Sequence, residues 1–355
     1  MKIINQKGIT LIALVITIVV LLILSGISLA MFIGDSSLFG QSRKAKESQK
    51  RAETVENAKV DIIAEQTTAK KFELDRETIK KVLDKYFDNV PDDFTADTEL
   101  TTKSEYGNYK AKVSEIYAGK IPPVVISKTN SYVGYYADID EDGTVDGIIY
   151  ADLAYGNKEN GNWGEEEGTY SIPKDSSGLK DYYVSNKSYT DKFGTNAVLS
   201  PTGTGNDRFY IMALKDVGGY FDWYNAAHGA MKDYASTTST KFGKGKDNTD
   251  AMIKKWDGKK YGEQNTCAQN EKDIWGAIKE QYNKGWFVPS KEEWAAFSGE
   301  LKIDVENYIG KGLDMYYWTS SQSDDKRAWF VNYYRGSMDL YDVNTSESIR
   351  LSKTF

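Results

Sequence analysis

Cysteine and histidine are almost absent from this chain of 355 residues. Its one cysteine, Cys267, excludes an internal disulfide and any two-cysteine redox centre. Its one histidine, His228, leaves little for histidine-based acid–base chemistry. The net charge of -7 argues against nucleic acid as the main partner, because phosphate binding requires clustered Lys and Arg. These scarcities weigh against an enzyme before any motif is considered.

Charge is also missing from a long apolar run near the amino end. Residues 9–33 carry no charged side chain, with Lys2 and Lys7 before them and Asp35 after them. At about 1.5 Å per residue, such a run predicts a transmembrane helix. The basic amino end then stays cytoplasmic and the rest of the chain lies outside. A cleaved signal peptide is the alternative, but its apolar region is usually about 7–15 residues.

The stretch Lys7-Gly8-Ile9-Thr10-Leu11-Ile12 resembles the prepilin leader of type IV pilins and pseudopilins. The resemblance implies that a prepilin peptidase cuts after Gly8, and that Ile9 becomes an N-methylated amino terminus. An ordinary signal-anchor helix is the alternative. Ala13 stands where the family usually carries Glu, which helps to register subunits in the filament. Cleavage and methylation of the amino end are therefore predicted independently of assembly with other pilin-like subunits.

Changes in composition divide the chain. Val55, Ala58, Ile62 and Ile63 recur at helical spacing in a stretch without Gly or Pro, and predict an amphipathic continuation of the anchor. The signals are mixed from residue 89 to Asn130, where we place a boundary. The predicted segments are a leader (1–8), a transmembrane helix (9–33), an amphipathic helical stalk (34–70), a small connecting region (71–130) and a ligand-binding domain (131–355).

Residues 137–147, here called the acidic loop, carry Asp at alternating positions. Converging carboxylate oxygens and the sharp turn at Gly143 suit Ca²⁺, which takes about 6–8 oxygen ligands. An EF-hand needs Glu at the twelfth position, where Ile149 stands. The alternative is an acidic hairpin turn, for which Asp-Gly is a strong signal. The predicted ligands of a structural Ca²⁺ are Asp138, Asp140, Asp142, Asp146 and the backbone carbonyl of Thr144.

The last seventy residues contain fixed apolar anchors separated by polar and aromatic residues. Ser290 and Glu293 form a capping box that predicts a helix carrying Trp294 and Phe297. Trp286, Trp294 and Trp318 are predicted core residues. Asn, Asp, Tyr, Ser and Thr fill the intervals, and such residues favour an exposed binding surface. The alternative interpretation is a set of short, solvated strands.

The motifs Trp286-Phe287-Val288-Pro289-Ser290 and Tyr317-Trp318-Thr319-Ser320-Ser321 resemble those of a C-type-lectin fold of the formylglycine-generating-enzyme type. More narrowly, the stretch is similar to the variable proteins of diversity-generating retroelements. In that family, codons for a ligand surface are rewritten at adenines, and Asn codons become mostly Asn, Asp, Tyr, Ser and Thr. The implied ligand-binding residues are Asp314, Tyr316, Ser323, Asp324, Asp325, Asn332, Tyr334, Ser337, Asp339, Tyr341, Asp342, Asn344 and Ser346, and Thr345 and Ser348 fit the same composition.

The expected fold is α+β. A long amino-terminal helix of transmembrane, pilin-like type is followed by a C-type-lectin-like domain with short antiparallel strands and two or more helices. The formylglycine-generating reaction needs a cysteine pair near the carboxyl end, and Cys267 stands alone. The sugar-binding Glu-Pro-Asn and Gln-Pro-Asp motifs are also missing, so carbohydrate recognition does not follow from the fold.

The sequence therefore predicts a non-enzymatic binding protein of adhesin or receptor type, held at the membrane or on a pilus. Its carboxyl-terminal face contacts an extracellular ligand, of protein or other nature. The alternative is a structural type IV pilin or pseudopilin subunit of a filament or secretion system.

Overall fold

The computed structural model describes residues 14–23, 38–157, 159–164, 166–175, 177–225, 230–259 and 271–355. The predicted processing residues Gly8 and Ile9 lie outside these ranges, as do Ala13, His228 and Cys267. The chain forms two compact units, residues 1–124 and residues 125–355.

The first unit is mainly helical and includes one small antiparallel sheet of order β1-β2-β3. Its elements are α1 (residues 14–23), α2 (Leu38–Ala69), α3 (Arg76–Tyr86), β1 (Phe87–Asp88), β2 (Glu99–Thr102) and β3 (Lys110–Lys112), with 3-10 turns at Ser104–Tyr106 and Val113–Glu115.

The core of the first unit follows from the spacing of apolar residues on α2. Val55, Ala58 and Ile62 recur every three to four residues and are buried. They join Val82 and Leu83 of α3 in one apolar cluster. Residues at this spacing share one face of a helix, so α2 packs by one stripe while its charged residues stay in solvent.

The predicted transmembrane helix is wrong for the part of the chain that the structure describes. Among these residues, none of the helices combines the length and the apolar character needed to cross a bilayer. Residues 14–23 are apolar and helical. The 32 residues of α2 are long enough, but their sequence is rich in Lys, Arg and Glu.

The second unit contains most of the strands. They are β4 (Tyr136–Ala137), β5 (Gly147–Asp152), β6 (Gly161–Asn162), β7 (Thr169–Tyr170), β8 (Asp181–Asp191), β9 (Gly194–Thr202), β10 (Phe209–Ala213), β11 (Val217–Asp222), β12 (Tyr316–Gln322), β13 (Arg327–Asn332), β14 (Ser337–Asp342), β15 (Ser346–Ile349) and β16 (Ser352–Thr354). Its helices are α4 (Tyr234–Thr237), α5 (Gly245–Asp257), α6 (Ile274–Ala277), α7 (Lys279–Asn283) and α8 (Lys291–Glu300), and a 3-10 turn spans Glu166–Gly168.

These strands form a six-stranded sheet of order β16-β10-β5-β4-β9-β8 and a five-stranded sheet of order β11-β15-β12-β13-β14, besides the short β6-β7 pair. The expected domain of short antiparallel strands is therefore wrong. The pairs β4-β9 and β12-β15 are parallel, and β8 is 11 residues long. The sequence could not show the parallel pairs, because each joins segments that are distant along the chain.

Helix α8 contacts both large sheets. Phe297 packs on Tyr150 of β5 with ring centroids 5.8 Å apart, and Trp294 packs on Tyr317 of β12 at 4.9 Å. The predicted capping box is confirmed: the Ser290 hydroxyl accepts from the Glu293 amide, and the Glu293 carboxylate accepts from the Ser290 amide at 2.6 Å. Burial of α8 on several sides explains why apolar residues are not confined to one stripe.

A buried ion pair organises one side of the six-stranded sheet. The Arg208 guanidinium donates to both carboxylate oxygens of Asp152, at 2.8 and 2.9 Å, and both side chains are 1% exposed. The same guanidinium donates to the carbonyls of Ser127 and Asn130 at 3.1 and 3.2 Å. This network satisfies the buried charges and ties the segment before β4 to the sheet.

The two large sheets are connected by Arg350 and Leu351, which lie between β15 and β16. Leu351 is buried in an apolar cluster with Trp318 and Ile349. Arg350 is 1% exposed and donates to Asp216 at 2.5 Å and to the Gly312 carbonyl at 2.9 Å. The position at which the chain leaves the five-stranded sheet is therefore fixed.

Candidate functional site

The register of the five-stranded sheet places distant residues on one face. Tyr316 pairs with Asn332, and Asn332 pairs with Ser337. On the other side of β12, Tyr317 is aligned in parallel with Ser348, which sets Glu347 beside Tyr316. Because side chains alternate across a strand, this row and the row two residues along share one face.

A cavity of about 400 Å³ opens on this face, and we call it the ligand cavity. It is lined by residues of β12, β13, β14, β15 and the β13–β14 turn: Tyr316, Phe330, Asn332, Tyr334, Arg335, Asp339, Leu340, Tyr341 and Glu347.

Aromatic rings form part of the wall of the ligand cavity. Phe330 is 4% exposed and lies between two other rings, with its centroid 5.6 Å from Tyr316 and 5.3 Å from Tyr341. Trp318, the register partner of Phe330 on β12, packs beside it with ring centroids 6.1 Å apart. Tyr341 is 46% exposed and Tyr334 is 66% exposed, so both offer ring surface to a ligand.

Polar groups are distributed around this aromatic wall. The Asn332 amide donates to the Asp339 carboxylate at 2.8 Å, and its carbonyl oxygen accepts from the Arg335 backbone at 3.1 Å. Within the described chain, the Arg335 guanidinium forms no ion pair within 4.0 Å. The cavity therefore has one carboxylate, that of Asp339, fixed by a hydrogen bond, and one guanidinium, that of Arg335, exposed to solvent.

Glu347 is the unusual carboxylate of this cavity. Burial, together with the negative charge of Asp314, raises its pKa to about 7. Asp314 itself is held by the Ser348 hydroxyl, which donates to its carboxylate at 2.6 Å. Glu347 is half-buried and makes no side-chain hydrogen bond or ion pair to a residue in the described ranges. A cationic group in the cavity would compensate this desolvated acid.

Five of the predicted ligand-binding residues meet at the ligand cavity, and the others do not. Asp324 accepts from the backbone of Lys326 and Arg327 and from the Arg327 guanidinium, as expected of a turn residue. The residues that line the cavity are Tyr316, Asn332, Tyr334, Asp339 and Tyr341. Those that lie elsewhere are Asp314, Ser323, Asp324, Asp325, Ser337, Asp342, Asn344 and Ser346, together with Thr345 and Ser348.

Phe330, Arg335, Leu340 and Glu347 also line the cavity but are missing from the predicted set. Phe330 and Leu340 are apolar, and Arg335 and Glu347 fall outside the polar composition used for the prediction. Glu347 could have been inferred from alternation, because it lies one residue before Ser348 and projects to the opposite face. Its proximity to Tyr316 depends on the parallel pairing of β12 and β15, which no local pattern reveals.

The acidic loop joins β4 to β5 and brings three carboxylates together. One ligand oxygen from each of Asp138, Asp140 and Asp146 lies within 4.8 Å of the others. The turn depends on Gly143, whose φ of +87° favours glycine, and its amide donates to Asp138 at 3.1 Å. The Asp142 carboxylate instead accepts from the Thr144 amide at 2.6 Å, and neither residue belongs to the group of three.

The environment of this carboxylate cluster fits a divalent cation. Asp138 is 4% exposed, and its Oδ1 is a buried oxygen with no hydrogen-bond partner in the described structure. Burial raises the pKa of Asp138 and of Asp146, and the neighbouring carboxylates raise both further. The residues thus offer the oxygen ligands that Ca²⁺ prefers, and an ion would satisfy the orphaned oxygen.

Beside this loop lies a second cavity, of about 680 Å³. Asp138 and Asp146 form one wall of it, and Tyr189 and Lys215 also line it. The acidic loop is therefore accessible from solvent on the cavity side.

Comparison with known proteins yields a weak structural similarity. The chain matches no protein-family model and no curated protein. Among solved structures it is similar to a fimbrial protein from Bacteroides ovatus ATCC 8483, with 16% identity and a TM-score of 0.30. The match covers 42% of this chain and 36% of that chain. A similarity of this size establishes neither the fold nor the function of the chain.

Proposed function

We propose that this chain is a non-enzymatic binding protein that acts at the cell surface and contacts its ligand through the ligand cavity. The observation that supports the proposal is the convergence of Tyr316, Asn332, Tyr334, Asp339 and Tyr341 on one opening. These residues come from three strands and a turn. The same sheet directs Tyr317 and Val331 into the core on its opposite face.

The physical character of the cavity suits recognition. Tyr side chains provide large contact area with few rotatable bonds, and they are enriched among residues that dominate binding energy. Tyr334 and Tyr341 are exposed, whereas Phe330, which packs on Tyr341, is buried and fixed by its neighbours. A rigid base with exposed aromatic groups can contact a partner without a large loss of conformational entropy.

The proposal is tested with the full-length protein on an array of immobilised proteins and glycans. We expect the variant Tyr334→Ala/Tyr341→Ala to lose at least about tenfold in signal for ligands that the wild type binds. Ile309→Ala is the matched control, because Ile309 is 71% exposed and is not among the residues that line the cavity. Equal binding by the double variant and the wild type would contradict the proposed site.

Adenine-directed variation of this face is part of the same proposal. It is supported by the position of Tyr334, Asp339 and Tyr341 on the cavity, where substitution alters the ligand surface and spares the core. Sequencing codons 314 to 348 in a population grown from one clone should show changes confined to adenines. A uniform sequence would contradict continuing variation and leave a fixed binding site.

We also propose that Ca²⁺ binds Asp138, Asp140 and Asp146 and stabilises the turn between β4 and β5. The orphaned Oδ1 of Asp138 is the main support. Three carboxylates at this separation repel one another, so a divalent cation converts an unfavourable cluster into a stabilising one. The role is structural, because the acidic loop and the ligand cavity are lined by different residues.

A further inference from the structure

The charges at the ligand cavity are unequal. Asp339 and Glu347 line it, Asp314 lies close enough to affect Glu347, and Arg335 is the one cation among the lining residues. Asp339 is supported by the Asn332 amide, but Glu347 has no such donor among the described residues. The cavity is thus an acidic recess with an aromatic wall.

We infer that the ligand cavity accepts the guanidinium group of an arginine side chain on a partner protein. This inference rests on the proposed function and specifies the chemistry of its ligand. A planar guanidinium can stack against the rings of Tyr316 and Tyr341 and donate to carboxylates at its edge. The volume of about 400 Å³ accommodates such a side chain together with part of its backbone.

Glu347 is the expected charged partner of that guanidinium. It lies on β15 beside Tyr316, within reach of a group stacked on the aromatic wall. Its desolvation is unfavourable for the free protein, and a bound cation offsets it. Asp339 stands across the same opening on β14 and supplies a second acceptor, while Arg335 on the β13–β14 turn disfavours cations that approach from its side.

The test compares two peptides, acetyl-Gly-Arg-Gly-amide and acetyl-Gly-citrulline-Gly-amide, by ligand-observed NMR with the full-length protein. Citrulline keeps the shape of arginine and lacks its charge, so we expect it to bind at least about tenfold more weakly. Glu347→Gln should weaken binding of the arginine peptide by a similar factor. Glu306→Gln makes the same charge change at an exposed position outside the cavity and should leave binding unchanged.

Three outcomes would overturn the inference: failure of the arginine peptide to bind, equal binding of the citrulline peptide, or full binding by Glu347→Gln. None of these would contradict the proposed function, which the Tyr334→Ala/Tyr341→Ala comparison decides on unselected ligands. If that double variant retains every ligand, the proposed function fails whatever the peptides do. The two experiments therefore separate a wrong ligand class from a wrong site.

Discussion

Phe330 and Tyr341 contact each other on neighbouring strands, with ring centroids 5.3 Å apart, but their surroundings differ. Phe330 is 4% exposed and packs also on Tyr316 and Trp318, whereas Tyr341 is 46% exposed. One ring therefore holds the sheet together and the other extends into solvent. The distinction separates residues that build the ligand cavity from residues that are available to a ligand.

We predict that Phe330→Ala lowers the free energy of unfolding of the second unit by about 3–5 kcal/mol, because it leaves a hole in a packed cluster. Tyr341→Ala should cost less than about 1 kcal/mol. All eight tryptophans lie in the second unit, so urea titration followed by tryptophan fluorescence reports this unit alone. A comparable loss in Tyr341→Ala would show that Tyr341 belongs to the core.

The first turn of helix α8 contains a buried carboxylate. Glu293 is 0% exposed and accepts from the backbone amides of Ser290, Gly243 and Gly245, at 2.6, 3.1 and 3.4 Å. Burial nevertheless raises its pKa to about 7, so the cost of desolvation exceeds the gain from these donors. The carboxylate thereby links the start of α8 to the loop before α5.

A pH dependence of stability follows from Glu293. Between its ordinary value of 4.5 and about 7, the folded protein binds the proton more tightly than the unfolded chain does. The Glu293 contribution to stability is therefore full below pH 4.5, decreases as pH rises to about 7, and amounts to about 3 kcal/mol at most.

Glu293→Gln cannot ionise, so its stability should fall less steeply than that of the wild type between pH 5 and about 7. Urea midpoints from tryptophan fluorescence at several pH values would measure the two slopes. Glu306→Gln, at an exposed position, is the control for a general charge effect. Parallel slopes for Glu293→Gln and the wild type would show that Glu293 does not titrate in this range.

At the scale of single elements, local patterns in the sequence were sufficient to predict where α8 begins and that some tryptophans are buried. The Ser290 and Glu293 capping box marked the start of α8, and Trp294 and Trp318 are fully buried as predicted. Trp286 is only partly buried, although it packs against the core. Hydrogen-bonding patterns within one turn of helix are readable from sequence because they depend on residues three apart.

Long-range pairing explains what the sequence did not reveal. The polar and aromatic alternation around Tyr334 and Tyr341 indicated an exposed face, but Glu347 joins that face only through the parallel pairing of β15 with β12. Local patterns do not encode which distant strand becomes a neighbour.

The whole molecule consists of two compact units with separate apolar clusters. Val55, Ile62 and Leu83 belong to the cluster of the first unit, and α2 supplies much of its helix. The acidic loop and all tryptophans lie in the second unit. A perturbation of the acidic loop should therefore have a different effect on signals from the two units.

We predict that millimolar Ca²⁺ raises the tryptophan-fluorescence melting temperature by several degrees and that chelation reverses this change, because ligand binding stabilises the folded form. Asp138→Asn should abolish the calcium effect. The same substitution at the exposed Asp304 is the control. Chelation that leaves the melting temperature of the wild type unchanged would contradict the proposed calcium site.

The order of strands has a consequence for synthesis of the chain. β15 lies between β11 and β12, and β16 pairs with β10, so both large sheets need residues 346–354. A ribosome makes these residues after every strand with which they pair. Until then β11 has no connection to the rest of its sheet and Glu347 does not exist, so no nascent chain can carry a finished ligand cavity. Unpaired strand edges must be shielded from aggregation until translation passes residue 354.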